Sequence, residues 1–117
     1  LKVERIKKIY LHYKDKFLKK ILTNIEIKQI KKNQKNYYKI TGKFCAKEAV
    51  AKAIGTGFSE GIKLKDIEIL NLESGKPIIN LYGMAKKKLA NVESSSISMS
   101  NDGGFVISIV TFLVKKL

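Results

Sequence analysis

Four charged residues and a glycine loop lie close together between positions 42 and 57, where the chain reads G-K-F-C-A-K-E-A-V-A-K-A-I-G-T-G. Lys43, Lys47 and Lys52 carry ammonium groups and Glu48 a carboxylate. At 3.6 residues per turn these four fall on one half of a helix. Ala46, Ala49, Val50, Ala53 and Ile54 share the other half, at the i, i+3, i+4 spacing of an amphipathic helix. Gly55 tolerates the positive φ that ends a helix, and Thr56-Gly57 continues as a tight loop. Cations, one carboxylate and a glycine loop are the makings of a site for a polyphosphate and its metal ion. The same pattern also describes an ordinary solvated face, in which Glu48 and Lys52 form an i,i+4 contact of about 0.2–0.5 kcal/mol.

Several elements must position this helix. Val3, Ile6, Ile9, Tyr10, Tyr13 and Phe17 recur near helical spacing and predict one basic helix over Leu1 to Phe17. Thr23 with Glu26 three residues on predicts a capping box and a second helix reaching about Lys32. The polar stretch from Asn33 to Asn36 follows, and Tyr37 to Ile40 leads into the central helix. Beyond Gly57 the character changes. Ile67 to Leu70 and Ile78 to Tyr82 read as strands joined by the turn signal Glu73-Ser74-Gly75-Lys76-Pro77. Met84 to Ala90 reads as a short helix. Ser96 to Met99 and Phe105 to Val114 read as strands around the Asn101-Asp102-Gly103-Gly104 turn. The expected class is α+β, with early helices packed on a mainly antiparallel sheet.

The totals bound what such a chain can be. Its 117 residues make one domain with one modest core, and 44% apolar content argues for a folded chain. No run approaches the ~18 apolar residues of a membrane span, so no membrane partner is expected. Cys45 is the single cysteine and His12 the single histidine, which leaves no zinc site and no internal disulfide. Cys45 reads as a small buried residue at the edge of the apolar face, and His12 as a surface or partly buried residue rather than a metal ligand. A reducing cytoplasm is the simplest compartment. The net charge of +14 favours an acidic or phosphorylated partner. Nearly all of it is lysine, whereas base-reading proteins lean on arginine forks. A nucleic-acid partner is therefore not expected, and a lysine-rich nucleic-acid-binding domain stands as the alternative class.

The long block Gly42–Gly57 resembles the signature G-R-F-x-A-K-E-A-x-x-K-A-x-G-T-G of the holo-acyl-carrier-protein synthases, a 4′-phosphopantetheinyl transferase family, with Lys43 in place of arginine. Val3-Glu4-Arg5-Ile6, the Phe17–Thr23 segment, Asp66-Ile67-Glu68-Ile69, Gly75-Lys76-Pro77 and Ser98-Met99-Ser100 resemble further family segments in order. The resemblance covers essentially the whole chain as a single domain over 1–117. It implies transfer of phosphopantetheine from coenzyme A to a serine of acyl carrier protein in fatty-acid synthesis. By the same likeness Glu48 is a Mg²⁺ ligand and Lys52 a catalytic contact to the pyrophosphate. Lys43, Lys47, Gly55, Thr56, Gly57, Lys76, Pro77 and Asn101 would bind coenzyme A. Arg5, Lys14 and Lys16 would dock the carrier protein. A homotrimer with sites between subunits is also implied.

Two departures stand out. The family begins with a strand ending in G-x-D, whose aspartate is a second metal ligand; it would precede Leu1. Where the family often has histidine after S-x-S, this chain has Asn101, which can hydrogen-bond but cannot carry a proton as imidazole does. An inactive relative that only holds carrier protein is the remaining alternative.

Overall fold

The longest helix runs through the middle of the molecule and touches nearly everything else. In the computed structural model, which describes residues 1–32 and 37–115, it is α4 (Tyr37–Ile54). Before it come α1 (Val3–Tyr13), α2 (Asp15–Ile21) and α3 (Asn24–Lys32). After it come a 3-10 turn at Leu64–Asp66, β1 (Ile67–Asn71), β2 (Pro77–Leu81), α5 (Gly83–Lys88), β3 (Val92–Asp102) and β4 (Phe105–Val114). The α+β expectation is met, and the polar stretch Asn33–Asn36 lies outside the described residues.

The single helix expected over Leu1 to Phe17 is two helices. Lys14 sits at φ 53°, and its N–H bonds back to Tyr10 O at 2.7 Å, which closes α1. In one unbroken helix Leu18 would lie about 120° round from Ile6. The break restores the phase, so that Ile6 and Tyr10 of α1 and Leu18 and Ile21 of α2 enter one core. Tyr13, which the periodicity assigned to that core, is exposed instead. A positive φ at a residue other than glycine is uncommon; here the core contacts on both sides hold it.

The capping box forms as expected. Thr23 N–H donates to Glu26 Oε1 at 2.8 Å, and Glu26 N–H donates to Thr23 Oγ1 at 3.3 Å. β1 and β2 form the expected antiparallel hairpin, in register from Ile67↔Leu81 to Asn71↔Pro77. Gly75 takes φ 90° in its turn. β3 and β4 form a longer hairpin, from Val92↔Val114 to Asp102↔Phe105. Its two turn residues, Gly103 and Gly104, both have positive φ, the requirement of a tight two-residue hairpin turn. β3 is much longer than the Ser96–Met99 expected, because pairing with β4 carries the serine-rich stretch along as strand. The strands make two separate two-stranded ladders among the described residues rather than one sheet. Leu1 lies antiparallel to the start of β4, with N–H···O bonds of 2.8 Å in both directions between Leu1 and Val106.

The core has two parts along α4. One gathers Ile6, Tyr10, Leu18, Leu22, Ile30 and Ile40. The other gathers Ala46, Val50, Ala51, Ile62, Ile67 and Ile69.

Candidate functional site

α4 does not divide as its sequence pattern suggests. Lys43 and Lys47 belong to its buried residues, together with Ile40, Ala46, Val50 and Ala51. Ala49 is only half-buried and Ala53 is exposed. At about 100° per residue Lys43, Lys47, Val50 and Ile54 share the centre of the buried arc, and Glu48, Lys52 and Ala49 lie outside it. The outward placement expected for Lys43 and Lys47 is thus corrected.

The reason is a set of acceptors that the sequence keeps far apart. Lys47 is 0% exposed. Its Nζ donates to Glu26 Oε1 at 2.7 Å, to Leu64 O at 3.0 Å and to Ile67 O. Glu26, equally buried, also accepts from Ile69 N–H at 2.9 Å through Oε2. With three N–H groups and three acceptors, the Lys47 ammonium has none left for a phosphate. The coenzyme-binding role expected of Lys47 does not fit this placement. Burial lowers the Lys47 and Lys43 ammonium pKa values, and the nearby Glu26 carboxylate opposes the shift in both.

Glu68 extends the network to β2. It accepts from Thr23 Oγ1, from Tyr82 OH at 2.9 Å and from Asn80 Nδ2 at 3.2 Å. Burial alone would raise its pKa, but these three donors outweigh burial and hold the carboxyl below its ordinary value. The hydrogen bond to Glu68 raises the Tyr82 hydroxyl.

Lys43 lies one turn before Lys47 at the wall of an open cavity of about 740 Å³. Its Nζ bonds to Ile69 O and, at 3.5 Å, to Asn71 Oδ1. Asn101, Ser100, Gly75, Tyr38 and Lys39 also line this cavity. Two residues named from sequence, Lys43 and Asn101, therefore meet here, and Lys76 and Pro77 follow directly on Gly75. Tyr38 and Lys39 were not singled out as ligand contacts. Their only signal is their place one helical turn ahead of Gly42 and Lys43.

Glu48 and Lys52 do not line that cavity. Glu48 is half-buried and Lys52 exposed, one turn apart on the outer arc. From Lys43, Lys52 is about 180° round the helix and about 13.5 Å along it. The helix ends at Gly55, φ 101°, whose N–H bonds to Lys52 O at 3.0 Å. Gly57 has φ 60°, and a Cβ on either glycine would meet nothing within 4 Å, so the loop Gly55-Thr56-Gly57 borders open space. The named residues thus form two groups on opposite sides of α4.

The remaining expectations sort simply. Arg5, Lys14 and Lys16 are exposed on α1, at the break and on α2. His12 is exposed beside the Tyr13 ring. Cys45 is a half-buried free thiol at 3.7 Å from Val106 O. Tyr37 packs edge-on against Tyr10, whereas Tyr38 faces the cavity. Among the described residues no three His, Cys, Asp or Glu side chains gather as a metal cluster. Among the same residues no helix is long and apolar enough to cross a membrane.

The 4′-phosphopantetheinyl transferase superfamily model matches residues 2–110. The chain is 37% identical over 116 residues to the holo-[acyl-carrier-protein] synthase of Campylobacter hominis, covering 97% of this chain and 93% of that one. The crystal structure of the Helicobacter pylori holo-[acyl-carrier-protein] synthase in complex with coenzyme A superposes with a TM-score of 0.85 at 32% identity, covering 97% and 95% of the two chains. That of the Bacillus anthracis enzyme in complex with CoA (3′,5′-ADP) gives 0.76 at 30% identity, covering 96% and 89%. The chain belongs to the 4′-phosphopantetheinyl transferase superfamily.

Proposed function

We propose that the protein transfers the 4′-phosphopantetheine group of coenzyme A to a serine hydroxyl of an acyl carrier protein, releases adenosine 3′,5′-bisphosphate and so serves fatty-acid synthesis. The observation that carries this reading is the pair Glu48 and Lys52, together on the outer arc of α4. They sit inside a chain similar along nearly its whole length to holo-[acyl-carrier-protein] synthases.

In the reaction the serine oxygen attacks the phosphorus that bears pantetheine. The bond from that phosphorus to the bridging oxygen of the pyrophosphate breaks, the bridging oxygen leaves on adenosine 3′,5′-bisphosphate, and the serine proton passes to solvent water. Lys52 supports the charge that collects on the departing phosphate. Glu48 offers a hard oxygen suited to Mg²⁺, which in phosphate sites is held by one or two carboxylates together with substrate oxygens. When bound there, the ion would withdraw charge from the pyrophosphate. The Gly55-Thr56-Gly57 loop leaves room for the ligand backbone to approach. The cavity, with Lys39, Lys43, Asn101 and the Gly75-Lys76-Pro77 turn, receives the nucleotide end.

Because these two groups lie on opposite sides of α4, a complete site takes one group from each of two neighbouring copies. An assembly of copies, a homotrimer by family likeness, is favoured by the outer face of β4. Ile107, Ile109 and Leu113 are about 60% exposed there, in a row on one face of the strand. On α1, Arg5, Lys8 and Ile9 share an exposed face, an apolar centre beside two cations that suits an acidic carrier-protein helix. The unpaired thiol of Cys45 is compatible with a reducing cytoplasm.

The test is incubation with coenzyme A, Mg²⁺ and an apo carrier protein. The carrier should gain the mass of one phosphopantetheine group. A carrier of unchanged mass, with saturating coenzyme A and protein of verified fold, refutes the assignment.

A further inference from the structure

We infer that the buried Lys47–Glu26 pair is a positioning device: it fixes the rotation of α4, and with it the direction in which Glu48 and Lys52 project. The inference rests on the reading above of those two residues as the pair that meets the pyrophosphate.

The fully buried apolar surface that α4 offers the second core is made of small side chains, Ala46, Val50 and Ala51, with only the half-buried Ile54 packed beside them. Methyl and isopropyl groups pack without direction, so they discriminate weakly between one rotational setting of a helix and the next. The ammonium of Lys47 is different. Its acceptors come from three separate elements: Glu26 on α3, Leu64 in the 3-10 turn and Ile67 on β1. Glu26 is itself held by Thr23 N–H and Ile69 N–H. A turn of α4 by one residue, about 100°, would draw the ammonium away from all three acceptors and leave two uncompensated charges in the interior. Lys43 adds a second tie one turn earlier, at Ile69 O.

Glu48 is the next residue after Lys47, so its direction follows from the Lys47 setting by the geometry of a single helical step. A methionine or leucine would fill the same space without such a constraint. Buried ion pairs of this kind contribute little net stability against apolar replacements, and their best-attested use is to fix one register among several. Lys47 is therefore a positioning residue, neighbour to the reacting groups without touching them.

The experiment compares wild type, Lys47→Met and the double variant Glu26→Leu/Lys47→Met. Four quantities are read: thermal midpoint, kcat, KM for coenzyme A, and calorimetric affinity for adenosine 3′,5′-bisphosphate. Lys47→Met alone should lose stability, because it strands the Glu26 carboxylate. The double variant should recover stability while kcat stays at least tenfold below wild type. Recovery of kcat together with stability overturns the proposal. A crystal structure of the double variant supplies a readout independent of catalysis. α4 should be turned or shifted against β1, and an unchanged setting overturns the proposal whatever the enzyme transfers. Should the double variant fail to fold, Glu26→Gln keeps the shape and one acceptor. It should lower kcat at least threefold, and a wild-type kcat there is the refuting result.

Discussion

Glu48→Gln disables the outer arc of α4, and Asn101→Glu puts a carboxylate into the cavity where an anionic nucleotide end would sit; each variant alone should be nearly inactive. Mixed, they should not be. Lys43 at the cavity and Lys52 on the outer arc are separated by about 180° of helix and about 13.5 Å of rise, so in the proposed assembly one copy would present the two groups to different neighbours. In a closed ring each site then takes α4 from one copy and the cavity from the next. With equal amounts randomly assembled, half of the α4 faces are intact and half of the cavities are intact. About a quarter of the sites combine the two. The assay is to denature the variants together, renature them, and follow transfer to apo carrier protein by mass. About a quarter of the wild-type specific activity is expected, against the small sum of the separate variants. A site formed within one chain gives no recovery, because no single chain is intact on both sides. Absence of recovery in a verified mixed oligomer would refute the split site.

Other outcomes follow from the same geometry. Glu48→Gln should reduce kcat by roughly a hundredfold or more with the thermal midpoint unchanged, and a chelator should abolish transfer by wild type; near-normal activity in either case removes Glu48 from the metal site. Ile107→Glu places a charge on the exposed row of β4 and should weaken assembly strongly, because an unpaired carboxylate costs more to bury than a neutral polar group. Sedimentation should show dissociation with a parallel loss of activity, and an unchanged sedimentation coefficient would place the interface elsewhere. Glu68 gives a pH dependence. Its folded pKa lies below the ordinary 4.5, so just below that pH the unfolded chain binds more protons than the folded one, and stability rises with pH. The contribution is fully present above about pH 4.5 and is lost as pH falls through the folded value. Glu68→Gln should flatten the fall in urea midpoint between about pH 5 and pH 3, and parallel curves for the two proteins would show that other carboxylates set the acid limit.

What could be read from the sequence follows the range of the interactions concerned. The Thr23–Glu26 box and the Gly103-Gly104 turn depend on residues three or fewer positions apart, and both form as expected. The break at Lys14 escaped because nothing local marks it. The residue is neither glycine nor proline, and only the need to bring Ile6 and Leu18 into one core demands it. Lys47 escaped for a related reason. Polarity directs a helical lysine outward unless a buried acceptor set answers it, and that set comes from Glu26, 21 residues earlier, and from backbone oxygens after position 60. The capping box hid the partner, since it explained Glu26 with one carboxylate oxygen and left the side chain's further bonds unread. Within the block from Lys43 to Lys52, family likeness therefore does not distinguish side chains that reach a ligand from side chains that aim their neighbours. The helical angle does so once a single fact is added, the direction of β1. Lys47 points at it, Lys43 lies about 40° to one side, and Glu48 and Lys52 lie about 100° and 140° to the other. That outer pair, Glu48 half-buried and Lys52 exposed, is the charged part of the motif left outside the buried arc, where a pyrophosphate can reach it.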